Sequence, residues 1–251
     1  MANIHLILQG KGGVGKSLIS SLMMQYFSDK KKMIAVDTDP VNASLSSYQS
    51  FKVERIELLD ESKTLVNMVM FDKLMEIIME SSEHDFIIDN GASSFIVLSQ
   101  YLVENQVVSL LKEMGHIVIV HTIITGGQAM LDTMHGFSSL ASNMDVNIVV
   151  WLNEFFGEVI MNGKGFEDFA SYREHQHKVL SIVKLKKLSP LFEDDFKHMI
   201  EQHLTFNEAM KHNGISFMAK NRLKIIKKDI DAQLDIMRDA INLVESGIYD
   251  E

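Results

Sequence analysis

A short stretch near the N-terminus contains the residue types, at the spacing, that phosphate binding requires. From Gly10 to Ser17 the sequence is Gly-Lys-Gly-Gly-Val-Gly-Lys-Ser, which fits the pattern G-x-x-x-x-G-K-[ST] in full. Glycines allow the backbone to curl, so that successive N–H groups point inward and can cradle phosphate oxygens. In such a loop the ammonium group of Lys16 would reach the β- and γ-phosphates of a nucleotide, and the hydroxyl of Ser17 would ligate Mg²⁺.

The segments on either side of this stretch are those that a phosphate-binding loop needs. The apolar run from Ile4 to Leu8 predicts a buried strand, and residues 17–27 predict a helix whose N-terminus adds partial positive charge. A glycine-rich turn without function is the alternative, but it would require neither flank. The residues predicted to contact nucleotide are Gly10, Lys11, Gly12, Gly13, Val14, Gly15, Lys16, Ser17 and Leu18.

Acidic residues follow two further predicted strands. Residues 33–36 lead into Asp37 and Asp39. Residues 86–88 lead into Asp89. Ligands of open α/β sheets bind at the carboxyl ends of strands, and a carboxylate placed there can hold Mg²⁺ through a water molecule. The alternatives are local structures, namely an Asx turn after the first of these strands and a strand cap after the second.

Predicted strands and helices alternate along the rest of the chain. This order favours an α/β fold of the P-loop NTPase type, a three-layer sandwich with a mainly parallel central sheet and helices on both faces. We expect residues 1–251 to form a single domain that ends in a long amphipathic helix at about 216–246. Further strands are predicted at 53–59, 116–122, 147–153 and 179–185, helices at 71–79, 98–114, 128–142, 191–203 and 206–210, and an irregular loop at 154–165.

The composition excludes several classes of protein. A net charge of −10 in 251 residues argues against a globally basic nucleic-acid-binding protein, although a local basic patch is compatible with it. The absence of cysteine excludes disulfides and thiolate-bound metals, and it fits a reducing cytoplasm, where we expect the protein to reside. The ten histidines lack the helical spacing of a metal site, so no metal other than Mg²⁺ is predicted.

The predicted C-terminal helix carries two patterns. Apolar residues recur at steps of three and four from Leu223 to Val244, and the basic stretch from Lys220 to Lys228 contains no acidic residue. Three interpretations remain open: the apolar stripe packs on the domain or on a second protomer, the helix lies on a membrane surface, or the basic residues contact the DNA backbone. The acidic distal half and the lack of an aromatic face argue against the membrane.

The lysine that directly follows Gly10 goes beyond the general loop pattern. The sequence Lys-Gly-Gly-Val-Gly-Lys-Ser from Lys11 resembles the deviant Walker A motif of the ParA/MinD family of ATPases, and Asp-Thr-Asp-Pro from Asp37 resembles the first switch of that family. The resemblance implies that Lys11 crosses a dimer interface to the partner's nucleotide. It also implies that Asp39 positions the attacking water and that Asp37 helps to hold the magnesium shell.

Two further segments extend this resemblance. Asp89-Asn90-Gly91 is similar to the second switch of the family, in which the Gly91 N–H would sense the γ-phosphate and Asp89 would hold magnesium through water. By the same resemblance Asn153 would read the adenine edge, because an amide offers both a donor and an acceptor; a strand-end turn is the alternative. The predicted metal-binding residues are Ser17, Asp37, Asp39 and Asp89. Pro-Val-Asn-Ala after Asp39 departs from the common Pro-Gln-Gly-Asn and predicts a differently shaped switch.

Several segments together resemble a narrower group, the TraL proteins encoded in conjugative-plasmid transfer regions. The matching segments are 9–17, 37–43, 89–95, 125–129, 150–153, 204–206 and 222–225. The resemblance implies a cytoplasmic protein that binds ATP or ADP with Mg²⁺ and dimerises when ATP is bound. Its partners would be conjugation, relaxosome or type IV secretion components.

Three functions are compatible with these residues. The first is a slow Mg²⁺-dependent ATPase, in which Lys11, Lys16 and Asp39 would act by positioning and charge neutralisation. The second is a nucleotide-gated scaffold or partition-like protein that positions plasmid DNA with little hydrolysis. The third is a P-loop kinase for a small molecule, which needs an acceptor pocket that no motif identifies.

Overall fold

A computed structural model describes residues 1–59, 66–81 and 83–247 of the chain. Within them one sheet contains the strands β1 (Asn3–Ile7), β2 (Met33–Asp37), β3 (Val53–Arg55), β4 (Asp85–Asp89), β5 (Ile117–Thr125), β6 (Asn147–Asn153) and β9 (Val179–Leu185). A small antiparallel hairpin contains β7 (Ile160–Met161) and β8 (Lys164–Gly165). The helices are α1 (Lys16–Phe27), α2 (Asp72–Glu80), α3 (Phe95–Glu104), α4 (Val107–Glu113), α5 (Met130–Asn143), α6 (Ala170–His175), α7 (Pro190–Glu201), α8 (Phe206–Lys211) and α9 (Phe217–Glu245).

The central sheet has the strand order β3-β2-β4-β1-β5-β6-β9, and every neighbouring pair in it is parallel. In its centre Leu6 of β1 lies in register between Ile88 of β4 and Val120 of β5. The strands β2, β3 and β4 lie on one side of β1, with β4 next to it, and the later strands β5, β6 and β9 lie on the other side. The strand order therefore reverses at β1, and a crevice opens at its carboxyl end. The predicted parallel α/β sheet is confirmed.

Two hydrophobic cores cover the two faces of this sheet. One core lies beneath α2, α3, α4 and α5 and includes Phe71, Phe86 and Phe137. The other lies beneath α1, α7, α8 and α9 and includes Trp151 and Leu234. Strands that are buried on both faces must be apolar almost throughout, which explains why their sequences form continuous hydrophobic runs rather than alternating ones.

The prediction of one continuous helix at 98–114 is wrong, because the structure has two helices there. Between α3 and α4 the chain turns at Asn105 and Gln106, and Gln106 adopts a left-handed conformation with φ 51°. The Asn105 side chain donates to the Tyr101 carbonyl at 3.0 Å, which helps to end α3. The apolar pattern continues across the break because both helices cover the same core. Gly115, with φ 82°, ends α4 as predicted.

Two other predicted segments also differ from the structure. The strand predicted at 53–59 is regular only to Arg55, which pairs with Asp37 at the end of β2; beyond that point β2 offers no further backbone to pair with. The loop predicted at 154–165 contains a short 3₁₀ turn and the β7–β8 hairpin, and α6 follows it where no helix is predicted. Short elements of this kind have too few residues for a periodic pattern.

The long C-terminal helix is present and packs on its own chain. It begins after Ser216, whose hydroxyl accepts a hydrogen bond from the Ala219 N–H at 3.2 Å. Its apolar stripe, including Leu223, Ile230 and Met237, is buried against the core that also contains Trp151. Of the interpretations left open for this helix, packing on the domain therefore accounts for the apolar stripe. No helix among the described residues is both long and apolar enough to cross a bilayer.

Candidate nucleotide-binding site

The glycine-rich loop lies at the carboxyl end of β1 and leads into α1. Gly13 and Gly15 have φ values of 74° and 100°, in the left-handed region where a side chain is disfavoured. Gly15 directly precedes the first turn of α1. The loop is therefore curled around the free N–H groups of a helix N-terminus, an arrangement suited to phosphate oxygens.

Lys16 is held within this loop with only 8% of its surface exposed. Its ammonium group donates to the Lys11 carbonyl at 3.0 Å, across the mouth of the loop. Burial lowers the pKa of Lys16, whereas the negative charges of Asp89 and Asp39 raise it. The loop thus presents a mostly buried ammonium group that lies close to two carboxylates, as a site for a phosphate and a divalent cation requires.

Asp89, at the end of β4, is almost fully buried and has one carboxylate oxygen free. Its Oδ1 accepts a hydrogen bond from the Ser20 hydroxyl at 3.0 Å, whereas its Oδ2 has no hydrogen-bond partner among the described residues. Burial raises the pKa of Asp89 to about 7, and the hydroxyls of Ser17 and Ser20 oppose that rise. A buried, unpartnered carboxylate oxygen beside Ser17 fits a water molecule bound to Mg²⁺.

Asp37, at the end of β2, is fully buried and uses both oxygens within its own loop. Its Oδ1 accepts from the Asp39 N–H at 3.1 Å, and its Oδ2 accepts from the N–H and hydroxyl of Ser46 at 3.2 and 3.0 Å. Burial raises the pKa of Asp37 against these hydrogen bonds. No three Asp, Glu or His side chains converge on a metal site within the described ranges, so Asp37, Asp39 and Asp89 do not form one carboxylate cage.

Asp39 lies across the crevice from the glycine loop, against Gly91. A Cβ atom at Gly91 would lie 2.7 Å from the Asp39 carboxylate, so only glycine allows this approach. The Oδ1 of Asp39 accepts hydrogen bonds from the N–H groups of Val41 and Asn42 at 2.8 and 3.0 Å. The predicted Asx turn is therefore present, and the same carboxylate faces the cleft.

Asn153, at the end of β6, contacts the phosphate loop directly. Its Nδ2 donates to the Val14 carbonyl at 3.0 Å, and its Oδ1 accepts from the Phe155 N–H at 3.2 Å. One N–H of the amide remains available for an acceptor on a ligand. The structure thus brings Asn153 beside the loop, 139 residues away in sequence, and also forms the strand-end turn that was the alternative.

Lys11 extends from the loop toward α5. Its ammonium group lies 2.7 Å from the Asp132 carboxylate in the first turn of that helix, and both side chains are about half exposed. The ion pair with Lys11 holds the pKa of Asp132 below its usual range. Within one chain, therefore, the second lysine of the loop points away from Lys16 and has a partner on the surface.

Comparison with known proteins identifies the family of this chain. The family model described as the CobQ/CobB/MinD/ParA nucleotide-binding domain matches residues 5–239. The chain belongs to this family. Two Escherichia coli proteins, both named Protein TraL, are 44% and 43% identical to it over 239 residues, which is 94% of this chain and 98% of each relative. The predicted resemblance to ParA/MinD ATPases and to TraL proteins is confirmed.

Solved structures of the family share the fold at low sequence identity. A ParA family ATPase from Chlorobium tepidum aligns with a TM-score of 0.56 and 13% identity, over 96% of this chain and 98% of that one. A putative plasmid partition protein from Borrelia burgdorferi, solved with AMPPNP, aligns with a TM-score of 0.53 and 14% identity, over 95% and 99%. These likenesses support the fold, whereas the site must be argued from its own side chains.

Gln9 begins the segment 9–17 that resembles the TraL proteins, but the resemblance gives it no role. In the structure it positions the start of the loop. Its buried side-chain amide donates to the carbonyls of Ile123 and Thr133 at 2.9 and 3.1 Å. Gly136 of α5 makes room for it, because a Cβ atom there would lie 2.3 Å from the Gln9 oxygen. Gln9 therefore links the loop to β5 and α5, a contact with no local sequence signal.

A cleft of about 660 Å³ runs from the loop over the first turns of α1. Its walls include Asp39, Ala92 and Ser93, together with these predicted residues of the loop and of α1: Gly12, Gly13, Gly15, Lys16, Ser17 and Leu18. They also include residues that no motif predicts: Tyr48, Ile200, Glu201 and His203. Only the match of segment 204–206 to the TraL proteins lies near this wall in sequence.

Proposed function

We propose that this protein is a ParA/MinD-like ATP-binding protein and slow Mg²⁺-dependent ATPase, formed by the whole chain as one domain. The observation that carries the proposal is the presence at the loop of two buried charged groups: the ammonium of Lys16 and the carboxylate of Asp89, whose Oδ2 has no partner among the described residues. A buried cation beside a free carboxylate oxygen suits a phosphate with a divalent ion, and it has no evident purely structural use.

Each residue of the site would have a separate role in ATP hydrolysis. Lys16 would neutralise charge on the β- and γ-phosphates, and N–H groups of the loop and of Gly91 would bind their oxygens. Mg²⁺ would supply further neutralisation of the phosphate charge, with Ser17 as ligand and Asp89 and Asp37 acting through water. Asp39 would orient the attacking water.

At the other end of the nucleotide, Asn153 would recognise the base. Its oxygen already accepts from Phe155, and one N–H already donates to Val14. The remaining N–H would therefore donate to adenine N7 rather than form a full donor–acceptor pair. The same side chain would then sense the base and hold the loop that binds the phosphates.

Dimerisation would use Lys11. In one chain this lysine forms an exposed ion pair with Asp132, and exposed pairs of this kind contribute little to stability. Lys11 can therefore exchange Asp132 for the phosphates of a partner's nucleotide at small cost. A nucleotide-dependent dimer would order the two switch loops, so that the bound nucleotide controls which partners bind.

The cellular role proposed is conjugal transfer of plasmid DNA through type IV secretion, in the cytoplasm. It rests on the similarity to the TraL proteins, which spans nearly the full chain. Non-specific contact with DNA would come from the basic stretch 220–228, in which Arg222 pairs with Asp195 and Lys227 pairs with Asp231. Three other lysines of the stretch have no ion pair among the described residues: Lys220, Lys224 and Lys228.

A nucleotide-gated scaffold with little hydrolysis is the second candidate, and one contact favours it. The Asp39 Oδ1 is occupied by the N–H groups of Val41 and Asn42, which hold the carboxylate in its own turn. Unless that turn opens, only the other oxygen can orient a water molecule. Turnover measured with and without DNA separates the candidates, because the scaffold predicts no stimulated hydrolysis.

The decisive test is the molecular mass in solution with ATP, with ADP and without nucleotide. We expect wild type to dimerise with ATP only, and Asp39→Ala to remain dimeric because it hydrolyses no ATP. Lys11→Ala should bind ATP but stay monomeric. Asp132→Ala is the matched control, since it removes the ion-pair partner of Lys11 but keeps the lysine, and it should dimerise. A Lys11→Ala variant that dimerises and hydrolyses normally would refute the role of this lysine across the interface.

A further inference from the structure

The cleft above α1 has two chemically different ends. At one end lie the glycine loop, Lys16 and the Asp39 carboxylate. The other end is formed by Tyr48, Ile200 and His203, which come from the segment after β2 and from the end of α7. An ion-binding site alone does not require the second, aromatic end, which suits a flat organic group of a ligand.

His203 holds a backbone conformation that a histidine rarely adopts. Its φ is 51°, in the left-handed region. It follows the last turn of α7, where its N–H donates to the Ile200 carbonyl at 2.9 Å and the Leu204 N–H donates to the Met199 carbonyl at 3.1 Å. Glycine is the usual residue at this position of a helix end, so a bulky ring is retained here against local strain.

The ring of His203 is placed by aromatic contacts. It lies edge-on to the Tyr48 ring, with centroids 5.5 Å apart and planes at 77°. Tyr48 is buried and stacks on Phe51 at 5.1 Å, so it forms a fixed support. His203 itself is exposed to the cleft, which leaves one face of the imidazole free to contact a flat ligand.

The aromatic end and the glycine loop belong to one cleft. Ser17 and Leu18 of α1 line this cleft together with Tyr48 and His203. Its volume of about 660 Å³ is in the range of sites that hold small organic ligands. A ligand with its phosphates in the loop can therefore extend its ribose and base along the cleft toward His203.

We propose that His203, supported by Tyr48, forms a wall of the site that stacks against the purine base of the bound nucleotide. The proposal rests on the proposed nucleotide binding and adds a residue that holds the base. The helix α7 would then position His203 against the nucleotide in addition to packing on the core.

The test compares a ligand that has a base with one that has none. Titration calorimetry with Mg²⁺ would measure the affinity of the full chain for ADP and for tripolyphosphate. His203→Gly removes the ring and relieves the left-handed strain, and His203→Asn is a second variant that tolerates the same conformation. Both should bind ADP about 2- to 10-fold more weakly, the range expected for loss of one stacking contact, and tripolyphosphate unchanged.

His198→Ala on the exposed side of α7 is the matched control, and it should bind both ligands as wild type does. Unchanged ADP affinity in the two His203 variants would overturn the proposal, as would an equal loss of tripolyphosphate affinity. If wild type bound neither ligand, the proposed nucleotide-binding function itself would fail. That outcome is distinct from one in which wild type and both variants bind ADP equally well.

Discussion

Two clusters of buried polar side chains lie in the same sheet, and they differ in how their central group is hydrogen-bonded. One cluster consists of His5, His121 and Trp151, in the neighbouring strands β1, β5 and β6. The other consists of Lys16, Ser20 and Asp89 at the carboxyl edge. In the first, both ring nitrogens of His121 are hydrogen-bonded, and we call it the closed cluster. In the second, the open cluster, Asp89 Oδ2 has no partner in the part of the chain that the structure describes.

The closed cluster has one consistent arrangement of protons. The Trp151 indole N–H can only donate, and it lies 3.0 Å from His121 Nδ1, which must therefore accept. Neutral His121 then carries its proton on Nε2 and donates it to His5 Nδ1 at 2.9 Å. Burial lowers the pKa of His5 to about 4 and that of His121 well below its usual range, so both rings are neutral near pH 7.

The open cluster lowers the stability of the fold. Within the described ranges Asp89 Oδ2 is buried without a partner, and burial raises the pKa of the group to about 7. The comparison teaches that burial alone does not mark a functional group. Three buried polar residues of this sheet have an oxygen without a partner among the described residues: Asn3, Asp89 and Thr125. Of the three, Asp89 is the one with a carboxylate, and that carboxylate lies beside the glycine loop.

Lys16→Ala, which removes the ammonium of the open cluster, should reduce nucleotide affinity more than any other variant proposed here. The variant loses the buried ammonium, so Mg·ATP affinity should fall by about 100-fold, as expected for loss of a charge-assisted bond worth roughly 3 kcal/mol. Calorimetry would measure the affinity. Thermal melting without nucleotide should stay close to wild type, and a variant that binds ATP normally would refute the assignment of the loop.

Acidic pH should destabilise the fold by protonating the histidines of the closed cluster. The pKa of His5 is lowered on folding, so the neutral ring contributes stability above pH 6.5 that is lost as the pH falls toward 4, roughly 3 kcal/mol in total. Urea unfolding at several pH values would measure it. The measurement should be made in the Asp89→Asn variant, because the raised pKa of Asp89 increases stability as the pH falls and would mask the effect of the histidines. An unfolding free energy that is unchanged from pH 7 to 4.5 would contradict the prediction.

His121→Leu should separate structure from binding. The substitution leaves the buried Trp151 N–H without an acceptor, which costs roughly 1–3 kcal/mol of unfolding free energy. Urea unfolding followed by the fluorescence of Trp151, the single tryptophan, would measure the loss. Affinity for Mg·ADP at a temperature where the variant is folded should equal that of wild type, and a selective loss of binding would show that the two clusters are coupled.

Asp89→Asn should have the smallest effect on the fold and a selective effect on magnesium. The amide mimics the protonated acid, so the variant should be at least as stable as wild type at pH 8, where the ionised carboxylate is disfavoured by burial. The Mg²⁺ concentration needed for tight ATP binding should rise about 10-fold, as for loss of a group that orients a metal's water. An unchanged Mg²⁺ requirement would remove Asp89 from the metal site.

Features formed by residues that are close together in the sequence could be predicted from the sequence alone. The glycine loop, the acids that end β2 and β4, and the parallel order of strands all follow from local patterns, and the sheet is confirmed. The same reasoning could not find the break at Gln106, because two helices that cover one core keep one apolar pattern. The roles predicted for individual site residues stay predictions until the variants are measured.

Contacts between distant segments are what local patterns could not supply. His5 and His121 are 116 residues apart, and nothing in either strand indicates that their rings meet. The Tyr48–His203 wall joins segments on opposite sides of the chain's midpoint. Lys11 was predicted to act across a dimer, but its partner Asp132 within the chain depends on where α5 begins. Each of these contacts is set by the order of strands in the sheet.

The missing side chain at Gly136 has a mechanical consequence. Because α5 presses directly on the Gln9 amide there, the helix cannot shift along its axis without dragging the first residues of the loop with it. Asp132 sits on the same helix, one turn earlier, so a single push would reach both Lys11 and the backbone that leads to it. A protein that binds the outer face of α5 could thus change the position of the loop, and with it nucleotide binding, without entering the crevice.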